Sequence, residues 1–467
     1  MTVQQRSLAN TDNVFKTMMY LAAPVFIEQL FAMLVGWVDY WLAGRFLEPS
    51  HLAAMGLMAY IIWVIPCVFS VVAIGATALV SRFYGAEDFH MARRATNQAV
   101  FMGIIMMTVI TLLAALFHRE LIELMQLEPV PTELAIEYLD WIIWVIPFMV
   151  MLQVGRACLQ GAGDIISGFL TMVLVNILNM LISAALVTGW GPFPQLGWQG
   201  LAVGTAVAYF VGGLITLGLL LCNRFGLGLR LKLLKPDPDM LKRILRIGVP
   251  GGIDMVCVVF FQMWFLTIIN SLGTVQAAAH ATALRIESLA YLPGHAFSVA
   301  ATTLVGQFLG AKKPKEAERS ALLASGVGGG FMTLVGILFF FAAVPLTGFF
   351  AGEHTGEAVA LSAPLIQIVS VAMPALAVVI ILTGSLRGAG DTKWPLIFSM
   401  IGLVVIRIPI AYYLAWDEFT VPVLDWHVTG MNLGVIGAWY AMVVDIIIRS
   451  LLVGGRFLHG GWKHVKV

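Results

Sequence analysis

The feature that most constrains the fold is a series of apolar segments, each about 20 residues or longer, that recurs along the whole chain. About 20 apolar residues allow a helix to cross the hydrocarbon core of a bilayer. Only 11% of the 467 residues are charged, and soluble domains average about 25%, so an ordinary soluble domain is excluded. The pattern predicts an all-α polytopic membrane protein with twelve transmembrane helices, which we number spans 1 to 12, at 17–43, 52–84, 95–117, 134–160, 167–189, 198–221, 244–271, 278–309, 320–350, 361–386, 395–416 and 433–456.

The two halves of the chain share sequence. Residues 77–86 resemble residues 302–311, and Leu-Gln-Gly-Ala-Gly-Asp at 159–164 returns as Leu-Arg-Gly-Ala-Gly-Asp at 386–391. The nearly constant offset between these matches indicates a duplicated unit of six spans, so both units enter the membrane from the same side. We therefore expect two six-helix bundles related by a pseudo-two-fold axis along the membrane normal, with the substrate path between them.

Charge predicts the orientation of the chain. Lysine and arginine collect at both termini and in every second connection, whereas the opposite connections hold Arg45, Arg119 and several acids. The positive-inside rule then places both termini in the cytoplasm. The predicted domains are an N-terminal six-helix bundle with the cation site at 1–221, a cytoplasmic linker at 222–243 and a C-terminal six-helix bundle at 244–467.

Span 1 contains two carboxylates, Glu28 and Asp39, which lie about three helical turns apart and so share one face. A carboxylate at the centre of a membrane helix costs about 2.5–3.5 kcal/mol on insertion scales, and it is usually functional. We predict that Asp39 binds a proton or another cation, because burial disfavours its charged form and lets it exchange a proton near neutral pH. The alternative is an acid at the outer interface that pairs with Arg45 or is hydrated.

Three segments together resemble the multidrug and toxic compound extrusion (MATE) family of secondary transporters. They are Val38-Asp39-Tyr-Trp-Leu-Ala-Gly44, the segment at 302–311, and Leu386-Arg-Gly-Ala-Gly-Asp-Thr392. The resemblance covers the full chain in both halves. It implies an antiporter that exports organic, cationic or amphipathic small molecules against H+ or Na+ by alternating access, and that needs no other cofactor.

The resemblance also implies that Asp39 belongs to a cation site with Asn179 and Thr205 as polar partners. Asn176 and Ser183 are further candidates in span 5, and Asn179 and Ser183 share a helix face. The family's usual second acid is Ser183 here, which weakens a Na+ site and favours H+. The alternative for each asparagine is a hydrogen bond that only holds two helices together.

Other candidates are assigned to substrate binding, gating or bending. Glu28 and Asp254 occupy equivalent positions at the predicted cytoplasmic starts of spans 1 and 7, where they could attract a cationic substrate or complete a gate, or else be interfacial acids. The other buried-looking charged residues in spans 8, 11 and 12 are expected to form structural ion pairs. Glu287 in span 8 is the expected functional exception. Pro24, Pro147 and Pro374 are predicted hinges.

Several rival functions remain open. A flippase for lipid-linked sugars would need a strongly basic cavity, and only Arg285 and Arg407 look central. A membrane-embedded enzyme would need facing aspartates, a serine with histidine or lysine, or an HExxH helix, and a channel would need a filter segment; the sequence shows none of these. We expect no metal site and no nucleic-acid partner. The expected setting is a monomer in the bacterial inner membrane, with small-molecule substrates and the lipid bilayer as partners.

Overall fold

A computed structural model describes residues 7–11, 13–123, 128–351, 356–421 and 426–467. Each predicted span coincides with a helix or with consecutive helical segments. In the first half these are Val14–Phe46, Pro49–Gly85, Phe89–Glu123, the pair Pro129–Ile143 and Ile146–Ala162, Ile165–Thr188 and Trp198–Leu221. In the second half they are Pro238–Ser271, Thr274–Gly310, Pro314–Phe341 followed by Ala343–Ala351, Glu357–Gly388, Lys393–Ala415 and Gly434–His459.

Within the described ranges, ten helices are long and apolar enough to cross a membrane, or eleven when the two segments of span 4 count as one. Span 8 completes the predicted set. It is 37 residues long but carries His280, Arg285 and Glu287 in its first half. The all-α polytopic fold is therefore confirmed.

Short elements connect the spans. One-turn 3-10 helices lie at Leu8–Asn10, Arg224–Gly226, Leu231–Leu233 and Gly461–His464. The strands β1 (Glu418–Val421) and β2 (Trp426–Thr429) pair antiparallel in the connection between spans 11 and 12. Span 7 begins at Pro238, where the Asp237 side chain accepts the Met240 N–H, so the helix takes over the last part of the predicted linker.

The prolines act unequally on the backbone. Span 4 bends by 58° at a break just before Pro147, where the ring and the missing N–H disfavour a continuous helix. Pro24 and Pro374 lie inside helices that continue through them. Pro147 thus lies at a bend, and the hinge roles of Pro147, Pro24 and Pro374 remain predictions.

The first residues of each bundle's first helix pack against the other bundle. Met18 and Leu21 of span 1 belong to the apolar core of the second half, and Ile244 and Ile247 of span 7 belong to the core of the first half. These residues are equivalent in the repeat, because each pair is separated by the offset that relates the two units. A pseudo-two-fold axis requires such reciprocal contacts, so the predicted symmetry is confirmed.

Spans 2 and 8 cross at this axis, at the end of the molecule that carries the basic connections. A β-carbon on Gly85 would lie 1.9 Å from the carbonyl oxygen of Gln307, and one on Gly310 would lie 2.0 Å from that of Arg82. Gln307 also accepts the Leu8 N–H at 2.8 Å and donates to the Gly161 carbonyl at 3.0 Å. The backbones of spans 2 and 8 therefore pack in direct contact and close the space between the two halves at this end.

Candidate functional site

Three polar side chains from three helices meet inside the N-terminal bundle. Asn179 Nδ2 of span 5 donates to Thr205 Oγ1 of span 6 at 2.9 Å. The Tyr138 hydroxyl of span 4 lies 3.2 Å from the same oxygen. The Thr205 hydroxyl donates its only proton to the Leu201 carbonyl at 3.0 Å, so Tyr138 is the donor in its contact with Thr205. All three side chains are buried.

A set of buried polar atoms beside these residues has no hydrogen-bond partner among the described residues. Most buried polar atoms in proteins are hydrogen-bonded, so a concentration of unpaired ones marks a place that can accept an ion, a proton or water. In spans 1 and 5, the unpaired atoms are Asp39 Oδ1, Asn176 Nδ2, Asn179 Oδ1 and Ser183 Oγ.

Asp39 is linked to this group through Tyr138. The two side chains are close enough for an electrostatic interaction, and span 1 packs directly on span 5. Asp39 forms no ion pair within the described part of the chain, so the alternative pairing with Arg45 is not seen. The structure thus joins Asn179 to Thr205 directly, and it places Asp39 within electrostatic range of Tyr138, without a hydrogen bond to Asn179 or Thr205.

The group offers one carboxylate, which can bind a proton or supply one ligand to a cation. Asp39 is the carboxylate, and the neighbouring oxygens are neutral amide and hydroxyl groups. Carboxylate and carbonyl oxygens can bind hard cations, but a single acid leaves little negative charge for one. Among the described residues, no three histidine, cysteine, aspartate or glutamate side chains cluster as metal ligands.

Gly204 and Ser183 explain how spans 5 and 6 approach closely enough to form the group. A β-carbon on Gly204 would lie 2.2 Å from Ser183 Oγ and 2.8 Å from the Ser183 backbone nitrogen. Ser183 is fully buried. The close approach of spans 5 and 6 therefore requires glycine at position 204, opposite the Ser183 side chain, which is also a candidate for the site.

Tyr138 is a member of this group that the sequence pattern did not reveal. Its ring packs at 5.3 Å from the Trp198 ring, so it resembles an ordinary aromatic core residue. The only available signal was one hydroxyl on a strongly apolar span. Its role follows from the contact with Thr205.

We expect Tyr138→Phe to reduce the substrate export that the family resemblance implies by about two- to tenfold, because Thr205 loses a hydrogen bond worth about 0.5–1.5 kcal/mol. Initial export rates in proteoliposomes measure the change. Tyr40→Phe is the matched control, since Tyr40 is exposed and adjacent to Asp39 in the chain. Equal rates for wild type and Tyr138→Phe would remove Tyr138 from the site.

Glu28 and Asp254 are both buried and both paired. Glu28 contacts Arg156 of span 4 at 2.6 Å, and Asp254 contacts Arg387 of span 10 at 2.6 Å. The carboxylates are equivalent in the repeat, whereas the arginines are not, because Gln160 is the equivalent of Arg387. Each acid is thus neutralised within its own bundle, which favours a structural or gating role over direct attraction of a cation.

In the C-terminal bundle, Glu287 is fully buried and accepts a hydrogen bond from the Tyr291 hydroxyl at 3.1 Å. Arg407 and Asp445 form an ion pair at 2.8 Å. This agrees with the expected internal pairing, and Arg285 is instead exposed. Among the described residues of the C-terminal bundle, Glu287 is thus a buried acid whose carboxyl group has no cationic partner within ion-pair distance.

Comparison with known proteins identifies the family. The model of the family described as MatE matches residues 24–185 and again residues 250–413, once in each repeat. Curated proteins named "Probable multidrug resistance protein NorM" are similar over nearly the full chain. The one from Thermotoga maritima is 29% identical and covers 96% of this chain and 93% of its own length, and the one from Rhizobium meliloti is 26% identical and covers 96% and 95%.

Solved structures share the fold. One, described as the outward-facing conformation of a multidrug resistance MATE family transporter, is 21% identical, covers 100% of both chains and has a TM-score of 0.87. Another, a MOP superfamily transporter from Pyrococcus furiosus, is 21% identical, covers 96% of this chain and 95% of its own, and has a TM-score of 0.86. The chain belongs to the MatE family and is a multi-pass membrane transporter, not an enzyme.

Proposed function

We propose that this protein is a proton-coupled antiporter that exports organic cationic or amphipathic small molecules from the bacterial cytoplasm. The observation that carries the proposal is Asp39, an acid with a buried, unpaired oxygen. It lies within electrostatic range of Tyr138, whose hydroxyl contacts the hydrogen-bonded Asn179–Thr205 pair. Relatives named for multidrug resistance support the substrate class. The bacterial relatives and the distribution of basic residues support an inner-membrane location with both termini in the cytoplasm.

The coupling follows from competition between two ligands for different states of the protein. Asp39 takes up a proton from the outer side, and its neutral form packs more readily against the apolar helices around it. The resulting change in the N-terminal bundle favours release of substrate. In the inward-open state the proton leaves to the cytoplasm and substrate enters from the cytoplasm or the inner leaflet. Coupling requires that proton and substrate stabilise different states.

The pairing of arginines argues against a sugar-lipid flippase. Arg156, Arg387 and Arg407 each contact an acid of their own bundle, so these arginines do not supply the uncompensated positive charge that would hold a pyrophosphate group. Arg285 is the remaining exposed candidate from the sequence. A monomer contains both bundles and a complete candidate site, so we propose that the monomer transports.

The test uses the purified full-length protein in proteoliposomes with ethidium as a fluorescent organic cation. We expect a pH gradient, acidic on the side to which ethidium is moved, to drive transport and a protonophore to abolish it. A Na+ gradient alone should have no effect. Transport driven only by Na+ would overturn the choice of coupling ion, and transport driven by neither gradient would overturn the antiporter proposal.

A further inference from the structure

The C-terminal bundle contains a buried cluster of charged residues that the proposed cycle at Asp39 does not use. Arg407 of span 11 contacts Asp445 of span 12 at 2.8 Å, and Arg449 makes two hydrogen bonds of 2.7 Å to the same carboxylate. Arg407 Nη1 also donates to Gln262 Oε1 of span 7 at 3.0 Å. Glu287 of span 8 lies within electrostatic range of Arg407. The negative charge of Asp445 is therefore compensated by two arginines, and Glu287 is a second acid near them.

Two atoms of opposite charge in the cluster have no hydrogen-bond partner. Glu287 Oε1 accepts from Tyr291, but Glu287 Oε2 is buried and unpaired, and so is Arg407 Nε. Arg407 is close enough to Glu287 for an electrostatic interaction, yet the two are not within ion-pair distance. An ionised carboxylate with an unpaired buried oxygen is strongly disfavoured. The conformation described here therefore fits a protonated Glu287.

The ionised form of Glu287 also fits the composition of the cluster. With Glu287 ionised, two acids face two arginines and the cluster is neutral; with Glu287 protonated, it carries one positive charge. The other titratable side chain that contacts Glu287 is Tyr291, and His280 on the same helix is neutral, because its Nδ1 accepts the indole N–H of Trp439 at 3.1 Å. Both protonation states can thus be accommodated by one set of neighbours.

The backbone at Arg407 provides a way to change between these states. Residues Ile401–Arg407 form a π-helix inside span 11, directly before Pro409. A β-carbon on Gly402 would lie 2.1 Å from Asp445 Oδ1, so the π-helix is pressed against the charged cluster. Helical segments of this type recur at functional sites. A small shift of this segment would move Arg407 between Asp445 and Glu287.

Glu287 is hydrogen-bonded to a residue that has exposed surface. Glu287 has no exposed surface, whereas Tyr291, one turn further along span 8, is 37% exposed and donates its hydroxyl to Glu287. A proton that reaches the Tyr291 hydroxyl is one hydrogen bond away from the Glu287 carboxyl group.

We propose that Glu287 is a second proton-binding site, located in the C-terminal bundle and separate from Asp39. The proton binds a carboxylate oxygen of Glu287 and forms an O–H bond. Its departure to water leaves an ionised Glu287 that attracts Arg407 and displaces the π-helical segment of span 11. This inference adds a second site to the proposed function, and its test does not depend on transport.

The test is infrared spectroscopy of the full-length protein in lipid membranes during a pH titration, in the carbonyl region of protonated carboxyl groups. We expect Glu287→Gln to remove one titrating band and Asp39→Asn to remove a different one. Glu123→Gln is the control and should remove neither, because Glu123 is exposed at the end of span 3. A Glu287→Gln spectrum that keeps every wild-type band would overturn the inference.

A second variant covers the case in which Glu287→Gln does not fold. Tyr291→Phe deletes the hydroxyl that donates to Glu287, so the Glu287 band should shift in frequency while the Asp39 band stays in place. The absence of any shift would count against Glu287. Loss of the Glu287 band together with an unaltered Asp39→Asn spectrum would support this inference and contradict the proposed role of Asp39, so the two failures are distinguishable.

Discussion

Asp39→Asn is expected to abolish export driven by a pH gradient and to remove the part of the pH dependence of substrate binding that comes from Asp39. The amide has nearly the same shape as the carboxyl group but cannot exchange a proton near neutral pH. Coupling free energies between two ligands are typically about 1–3 kcal/mol, which corresponds to about a 5- to 150-fold change in the affinity of one ligand caused by the other. Loss of Asp39 should remove that factor.

The fold should survive this change. Asp39 Oδ1 has no hydrogen-bond partner and Asp39 forms no ion pair within the described residues, so the amide disrupts no observed contact. Proteoliposome transport and substrate binding at several pH values measure the effect, with Glu48→Gln as the control because Glu48 is exposed between spans 1 and 2. Retained pH-driven export by Asp39→Asn would refute the assignment of Asp39 as the coupling acid.

The architecture was predictable because its physical requirements leave direct traces in the sequence. Each helix must be apolar over the thickness of a bilayer, which gave twelve spans. A duplicated unit leaves matching residues, and Gly85 and Gly310 fall in the matched segments on which the symmetry prediction rested. The reciprocal packing of these glycines is the consequence of that symmetry.

The site was predictable only in part. Asn179 and Thr205 do meet, as the resemblance to the MATE family implied. Tyr138 was not predicted, since an aromatic residue with a hydroxyl is indistinguishable in sequence from core packing. The partners of Glu28 and Asp254 were also missed, because Arg156 and Arg387 occupy non-equivalent positions and were assigned to basic connections.

Gly310→Ala is expected to reduce export strongly by preventing closure at the end of the molecule that carries the basic connections. The new methyl group would lie 2.0 Å from the Arg82 carbonyl oxygen, 2.9 Å from its carbonyl carbon and 3.0 Å from the Ala86 nitrogen. All three are backbone atoms that a rotamer change cannot displace, so spans 2 and 8 must separate. Overpacking of this kind costs about 1–3 kcal/mol, which would shift the balance between closed and open states about 5- to 150-fold.

The pseudo-two-fold axis makes this prediction sharper, because Gly85→Ala should have the same effect from the other side of the crossing. The matched control is Gly326→Ala, a glycine inside span 9 whose added methyl group would meet no atom within 4 Å.

The readout is the rate at which a maleimide that cannot cross the membrane labels a cysteine placed at Thr303. Thr303 is buried, and its hydroxyl donates to the Gln160 carbonyl of the other bundle at 3.2 Å. The exposed Cys222 is replaced by serine in all variants. Labelling should accelerate in Gly310→Ala and Gly85→Ala and stay slow in Gly326→Ala, because only the first two hold the bundles apart.

If both crossing variants label as slowly as the control, the contact between spans 2 and 8 does not determine closure. If labelling accelerates in only one variant, the two glycine contacts do not contribute equally to closure, contrary to their symmetric geometry.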